Sequence, residues 1–271
     1  MPPVDQPFPG LDGCRVIVTG GTRGIGAGIA RGFLRAGAQV LVCGRHEPAA
    51  LPTVPAAADG RTAAFTRADV RDPEQARGLI RAGTDMFGGV DVVVSNAGGS
   101  PPVSAAAASP RFHSRVIELN LIAPLHVAQG ANEVMQGQPE GGSIIMIGSV
   151  SGTRPSPGTA AYGAAKAGLH HLVTSLAIEW APKVRLNTVV PGLVATESAA
   201  GHYGDAGAAA AAATVPLGRM ATPDDVANAC LFLASPQAAY VSGASLTLHG
   251  GGEPPAFLSA AAPPPAGVRS E

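Results

Sequence analysis

Tyr162 and Lys166 are separated by three small residues in the stretch Tyr162-Gly163-Ala164-Ala165-Lys166. On a helix, positions i and i+4 share a face, so a phenol and an ammonium stand side by side. A phenol, with a reference pKa near 10, is a poor base at neutral pH. A neighbouring cation favours its ionised form, and each unit of depression corresponds to about 1.4 kcal/mol. Such a pair can pass a proton to or from a substrate oxygen. The lysine is informative through its rarity, since the chain holds two lysines against sixteen arginines, and only three tyrosines. A chance pairing at this spacing has a probability of roughly 2%, so accident is a weak explanation. A composition that has nearly replaced lysine by arginine, yet keeps lysine here, points to a need for a compact ammonium rather than a planar fork.

A second constellation lies near the N-terminus: Thr19-Gly20-Gly21-Thr22-Arg23-Gly24-Ile25-Gly26. It follows the β-branched run Arg15–Thr19 and opens the apolar-periodic segment Ile25–Ala36. Glycines let the chain turn sharply and let backbone amides approach a pyrophosphate. The helix start adds unpaired N–H groups and the positive end of a dipole. A glycine-rich turn between a strand and a helix is the context in which such a motif signals a dinucleotide.

These residues need a scaffold. Short apolar runs recur at Arg15–Thr19, Gln39–Cys43, Thr62–Thr66, Asp91–Ser95, Ser143–Gly148, Val184–Val190 and Ala244–Leu248. Each is strand-sized and nearly all apolar, as strands buried on both faces are. Helix-length segments intervene: Ile25–Ala36, Asp72–Phe87, Ser109–Met135, Ala160–Ala181 and Pro223–Leu233. The alternation predicts an α/β fold, a single Rossmann-type doubly wound parallel sheet of about seven strands with helices on both faces. Residues 13–250 form that domain, between an N-terminal arm, 1–12, and a Pro/Ala-rich tail, 251–271. Arg45–Gly60 reads as a loop. Leu193–Pro216, with six consecutive alanines at Ala208–Ala213, follows a strand's C-terminal end and reads as a lid.

Composition excludes other classes. Of 271 residues, 46% are hydrophobic and 14% charged, enough for a packed core. The net charge of −1 gives no field drawing the chain to nucleic acid or an anionic membrane. Cys14, Cys43 and Cys230 lie too far apart for a disulfide framework or a zinc site. His170-His171 face different directions on a helix and make a poor metal pair, so no metal is expected. The sequence shows no secretory signal and no run of about 18 apolar residues, so a cytoplasmic protein is expected.

The order Thr-Gly-x-x-x-Gly-x-Gly, followed by Tyr-x-x-x-Lys, resembles the short-chain dehydrogenase/reductase family, classical type. Further matches run in family order over residues 13–250. Asp69-Val70 and Asn96-Ala97-Gly98 follow the third and fourth strands, Asn120, within Ser109–Met135, matches the family's Asn in its long fifth helix, and Ser149 follows the fifth strand. Pro191-Gly192 follows the sixth, with Val194 and Thr196 beyond it. The resemblance implies Asn120, Ser149, Tyr162 and Lys166 as the catalytic set. Tyr162 exchanges a proton with the substrate oxygen, Ser149 hydrogen-bonds that oxygen, and Lys166 also binds the nicotinamide ribose. Asn120 holds a water on a proton relay. It further implies that Gly20, Thr22, Arg23, Gly24, Ile25, Gly26, Asp69, Val70, Asn96, Ala97, Gly98, Tyr162, Lys166, Pro191, Gly192, Val194 and Thr196 surround the dinucleotide.

An NAD-preferring site places an acid after the second strand. Here that stretch reads Val42-Cys43-Gly44-Arg45-His46, and Arg45 with Arg23 suits a 2′-phosphate. NADP(H) is therefore favoured, with NAD(H) as the alternative. Gly99–Ala108, Val150–Gly158 and Leu193–Pro216 are small and apolar, which favours an uncharged, bulky substrate such as a steroid-like or alicyclic ketone. A 3-oxoacyl thioester reductase is the rival reading, with Arg111, Arg115 and Arg154 near the mouth. A dinucleotide-sensing binding protein is the rival from another class, and the presence of both Tyr162 and Lys166 speaks against it. The wide apolar faces of Ser109–Met135 and Ala160–Ala181 predict a homo-oligomer, and the resemblance implies that these helices pair in a homotetramer.

Overall fold

The computed structural model describes residues 8–54, 60–197 and 207–252. The expected arm and tail lie mostly outside the described residues, as does the middle of the expected lid. The strands are β1 (Arg15–Thr19), β2 (Gln39–Gly44), β3 (Ala64–Arg67), β4 (Val92–Ser95), β5 (Gly142–Ile147), β6 (Val184–Pro191) and β7 (Ser245–Leu248). All pair in parallel in one sheet ordered β3-β2-β1-β4-β5-β6-β7. The helices are α1 (Gly24–Arg35), α2 (Pro73–Phe87), α3 (Pro110–Ile117), α4 (Ala123–Gly137) and α5 (Ala160–Glu179). Then follow α6, described over 207–213, and α7 (Pro223–Ala234).

The period of two in the strands divides the core. Ile17, Leu41, Val93, Ile144 and Leu186 point to the face covered by α2, α4 and α5. Val16, Val18, Val40, Val42 and Val94 point to the face covered by α1 and α7. Both faces are dry, which is why these strands carry uninterrupted apolar runs rather than alternation. On the second face α1 and α7 approach closely: a Cβ on Gly28 would stand 2.3 Å from Pro223 Cβ, and one on Gly32 would stand 2.8 Å from Ala227 Cβ. Helix starts are capped by Asp72, Ser109 and Thr222, the last in a reciprocal box with Asp225. The strand order reverses between β1 and β4, and the crevice at their C-terminal ends is where such sheets bind ligands.

One element departs from expectation. Ser109–Met135 is two helices joined by a wide π turn at Glu118–Ile122. Pro124, at the start of α4, has no N–H to give the carbonyl of Asn120 four residues earlier, so a regular helix cannot run through. The Asn120 side chain supplies part of the remedy, donating from Nδ2 to Val116 O at 2.9 Å.

Candidate active site

The glycine-rich turn is held from β4. The buried Thr19 hydroxyl accepts the amides of Asn96 and Ala97, each at 2.9 Å. Asn96 Nδ2 in return donates to the carbonyls of Thr19 (3.0 Å) and Gly20 (3.2 Å). Asn96 thus clamps the ends of β1 and β4 together. Gly20 and Gly24 have φ of +62° and +53°, which favours glycine. Gly26 is demanded by packing: a Cβ there would lie 2.3 Å from Gly20 O and 2.5 Å from Asn96 Nδ2. The first intrahelical bond of α1 runs from Ala27 N to Arg23 O. Arg23 gives no side-chain cap, so the amides of Gly24, Ile25 and Gly26 are without intrahelical partners. A tight turn beneath an uncapped helix start is a cradle that fits a dinucleotide pyrophosphate.

The other expected cofactor residues gather around this cradle. The segment after β6 passes above it, with the Thr196 methyl 3.6 Å from the position of a Cβ on Gly24. Val194 bridges to Ala221, and Gly192 is fixed through its amide to Leu248 O at 2.9 Å. Arg45, just past β2, and Arg23, in the glycine-rich turn after β1, are both exposed. Asp69 is held below the usual carboxylate range, first by hydrogen bonds from Arg71 and last by the charge of Arg45. Val70 turns its side chain into the core, leaving only its backbone for a ligand.

The reacting groups meet at the end of β5. Ser149 starts a 3-10 turn, Val150–Gly152, and its Oγ accepts the Ser151 amide at 3.1 Å. The Ser149 hydroxyl stands close enough to the Tyr162 phenol to favour its ionised form. Lys166 is buried, donates from Nζ to Ile147 O at 2.7 Å, and lies 5.7 Å from the Tyr162 ring centre. Burial alone pulls its pKa down to about 8. The Tyr162 phenol is pushed up from its ordinary value by burial, against which the Ser149 hydroxyl works. Spacing alone assigns the opposing force to Lys166; in the structure that force comes from Ser149, while Lys166 Nζ is bonded to the Ile147 carbonyl.

Asn120 is fully buried. Its Oδ1 accepts Gly99 N at 2.8 Å, while Nδ2 donates to Gly99 O and Val116 O, both at 2.9 Å. One amide hydrogen thus holds the loop after β4 and the other the Val116 carbonyl of α3, so both are committed. A water bound here would sit on the Asn120 backbone carbonyl, which Pro124 leaves outside the i→i−4 ladder. That proline was the signal in the sequence for a broken helix. Gly98 faces both groups, since a Cβ on it would stand 2.8 Å from Asn120 Oδ1 and 3.4 Å from Lys166 Nζ. His170 is a further residue that motif reading passed over; its ring touches the Ser149 turn.

The loops meant to line a substrate pocket are tied together where Val103 N donates to Gly158 O at 2.8 Å. A separate cavity of about 480 Å³ among Leu193, Val215, Leu217 and Leu248 includes none of Ser149, Tyr162 or Lys166. Among the described residues no cluster of His, Cys, Asp or Glu is placed to hold a metal ion, and no helix is long and apolar enough to cross a membrane.

Comparison with known proteins places this arrangement in context. A family model described as Enoyl-(Acyl carrier protein) reductase matches residues 20–253. The 3-oxoacyl-(acyl-carrier-protein) reductase of Vibrio cholerae is 36% identical over 243 residues, covering 89% of this chain and 98% of its own. The 3alpha-hydroxysteroid dehydrogenase of Mediterraneibacter gnavus is 34% identical over 242 residues, covering 86% and 94%. The ligand-free aldohexose dehydrogenase of Thermoplasma acidophilum superposes with a TM-score of 0.82 at 28% identity, covering 96% of this chain and 99% of that one.

Proposed function

The chain belongs to the short-chain dehydrogenase/reductase family, classical type, and is an NAD(P)-dependent oxidoreductase acting on CH–OH groups of small molecules; from that premise we propose that it reversibly reduces an uncharged, bulky carbonyl to a secondary alcohol, with Tyr162 as general acid and base and NADP(H) as the favoured cofactor. The observation that carries this reading is the meeting of the Tyr162 and Ser149 hydroxyls at the end of β5, beside the buried Lys166.

The bound nicotinamide supplies or accepts the hydride. Tyr162 gives its proton to the carbonyl oxygen in reduction and removes it in oxidation. Ser149, whose Oγ already accepts the Ser151 amide, turns its own O–H toward that oxygen and stabilises the charge developing on it. Burial holds the phenol protonated at neutral pH, which suits proton donation. Lys166 reaches the nicotinamide ribose and, when charged, offsets the phenolate left after transfer. The Asn120 carbonyl holds the water through which Tyr162 is reprotonated by way of Lys166.

Arg45 and Arg23, both exposed, flank the point where a 2′-phosphate would emerge, and no acid stands directly after β2, Glu47 lying farther into the loop. A 3-oxoacyl thioester is the second reading, favoured by the Vibrio cholerae relative and by Arg111, Arg115 and Arg154 on the exposed rim. We also hold the protein to be cytoplasmic and a homotetramer through α4 and α5, with Ile122, just before α4, and Ile178, in α5, 38% and 81% exposed on the single chain. The test pairs alicyclic ketones and a short 3-oxoacyl thioester with each cofactor, reading the reduced nicotinamide absorbance. Turnover with NADPH over NADH, reversed by Arg45→Asp, supports the reading. Tighter binding of NAD than NADP by the unaltered protein overturns the part given to Arg45.

A further inference from the structure

The turn between β5 and α5 closes around one side chain that the reaction scheme leaves without a role. The Ser149 amide points at His170 Nε2 across 3.4 Å. A Cβ on Gly148 would stand 2.3 Å from that nitrogen, and one on Gly152 would stand 2.9 Å from His170 Cε1. At Gly148 the imidazole fills the space a side chain would take, and at Gly152 it shares that space with the α5 backbone of Lys166 and Ala167. His170 follows Lys166 by one helical turn and Tyr162 by two, so all three share a face of α5. The turn it supports is the one that delivers Ser149 Oγ to Tyr162.

We propose that His170 is a positioning residue, whose unprotonated Nε2 accepts the Ser149 amide hydrogen and fixes the turn that aims the Ser149 hydroxyl at Tyr162 and the substrate oxygen. The inference rests on the reading of Ser149 and Tyr162 given above. An acceptor at Nε2 requires a neutral ring with its proton on Nδ1. Protonation would set two N–H groups against each other and release the turn. The groups around the ring favour neutrality. From α5 it meets the charge of Lys166, the turn presents Gly148, Ser149 and Gly152, and β6 presents Thr188, whose methyl shares the space beside Gly148. Burial and then Lys166 hold its pKa below the ordinary 6.5. Neither Tyr162, raised by burial, nor Lys166, at about 8, titrates in that acid range, so the His170 variants decide whether a loss of activity there belongs to this residue.

Two variants separate the role from plain packing. His170→Leu keeps bulk and removes the acceptor, whereas His170→Gln places a carbonyl oxygen near the position of Nε2. Deuterium uptake of the segment 148–152, read by mass spectrometry on the whole protein, needs no substrate. Uptake should rise about tenfold in His170→Leu, the scale of one lost hydrogen bond, and stay within about threefold of wild type in His170→Gln. With NADPH and a ketone that the wild type reduces, kcat should fall about tenfold in the Leu variant at little change in KM. The Gln variant should recover activity and lack the acid limb below pH 6.5. Equal uptake in all three proteins, equal damage in both variants, or an acid limb that survives His170→Gln overturns the inference. Tyr162→Phe is measured beside them: an active Tyr162→Phe defeats the underlying reading, while an inactive one beside unaffected His170 variants defeats only the part given to His170.

Discussion

Lys166 is buried with a single hydrogen bond from Nζ among the described contacts, to Ile147 O, and its site should cost the fold stability that the reaction uses. A fall in pKa from 10.5 to about 8 through burial corresponds to about 3 kcal/mol of destabilisation wherever the unfolded lysine is charged. The sign follows from the charged form being disfavoured in the folded state. The full penalty is present below pH 8, shrinks as pH rises, and vanishes above about 10.5. Replacing the ammonium by an apolar chain of similar length, Lys166→Met, removes that penalty. It also strands the Ile147 carbonyl, at a cost of about 1–3 kcal/mol. At pH 7 the variant should therefore match or exceed wild type by up to about 2 kcal/mol, a rise in Tm of a few degrees at about 2–4 °C per kcal/mol. The stranded carbonyl contributes equally at all pH values, so the change with pH isolates the buried charge. Urea unfolding of both proteins without nucleotide, at one protein concentration, should show the variant losing about 3 kcal/mol of relative stability between pH 7 and pH 10.5. A difference that stays constant over that range would refute the buried-charge account of Lys166.

Gly26→Ala should weaken NADP binding at least tenfold by calorimetry, because the added methyl meets Gly20 O and Asn96 Nδ2 inside 2.6 Å and must open the cradle. Thr188 Oγ1 is buried and finds no partner among the described residues, so Thr188→Val should raise Tm by the few degrees that about 1 kcal/mol gives in a domain of this size. Asp225, held well below the carboxylate range by its hydrogen bond from Arg219, contributes stability above its unfolded pKa near 3.9 and loses it as pH falls toward its folded value. The Tm of Asp225→Asn should thus lie below wild type at pH 6, with the gap narrowing from pH 4 toward pH 2.

The scaffold was legible because its strands are buried on both faces. Runs such as Arg15–Thr19 and Val184–Val190 carry that signature without help from neighbours. The edge strand is less clear: β3 begins at Ala64 rather than Thr62, since one partly exposed strand has little apolar pattern to mark its start. The long helix was misread because its apolar period continues across Pro124, while the backbone cannot. Glycine spacing marked the cradle, yet the hydrogen bonds of Asn96 and Asn120 are made between segments distant in sequence. The spacing of Tyr162 and Lys166 reports a shared face and is silent on dielectric. Burial, which spacing does not encode, raises the phenol and lowers the ammonium. His170 looked like half of a poor metal pair because its partners, Gly148, Ser149 and Gly152, come from another segment.

Tyr162→Phe tests the central claim most directly. The substitution keeps the ring, and with it the packing beside Lys166, and removes only the hydroxyl that faces Ser149. Turnover of a ketone with NADPH and nucleotide binding are measured on the same preparation. The account predicts that kcat falls by orders of magnitude while the Kd for NADPH stays within a few-fold of wild type. A variant that retains wild-type kcat would show that the proton comes from elsewhere and would contradict the assignment.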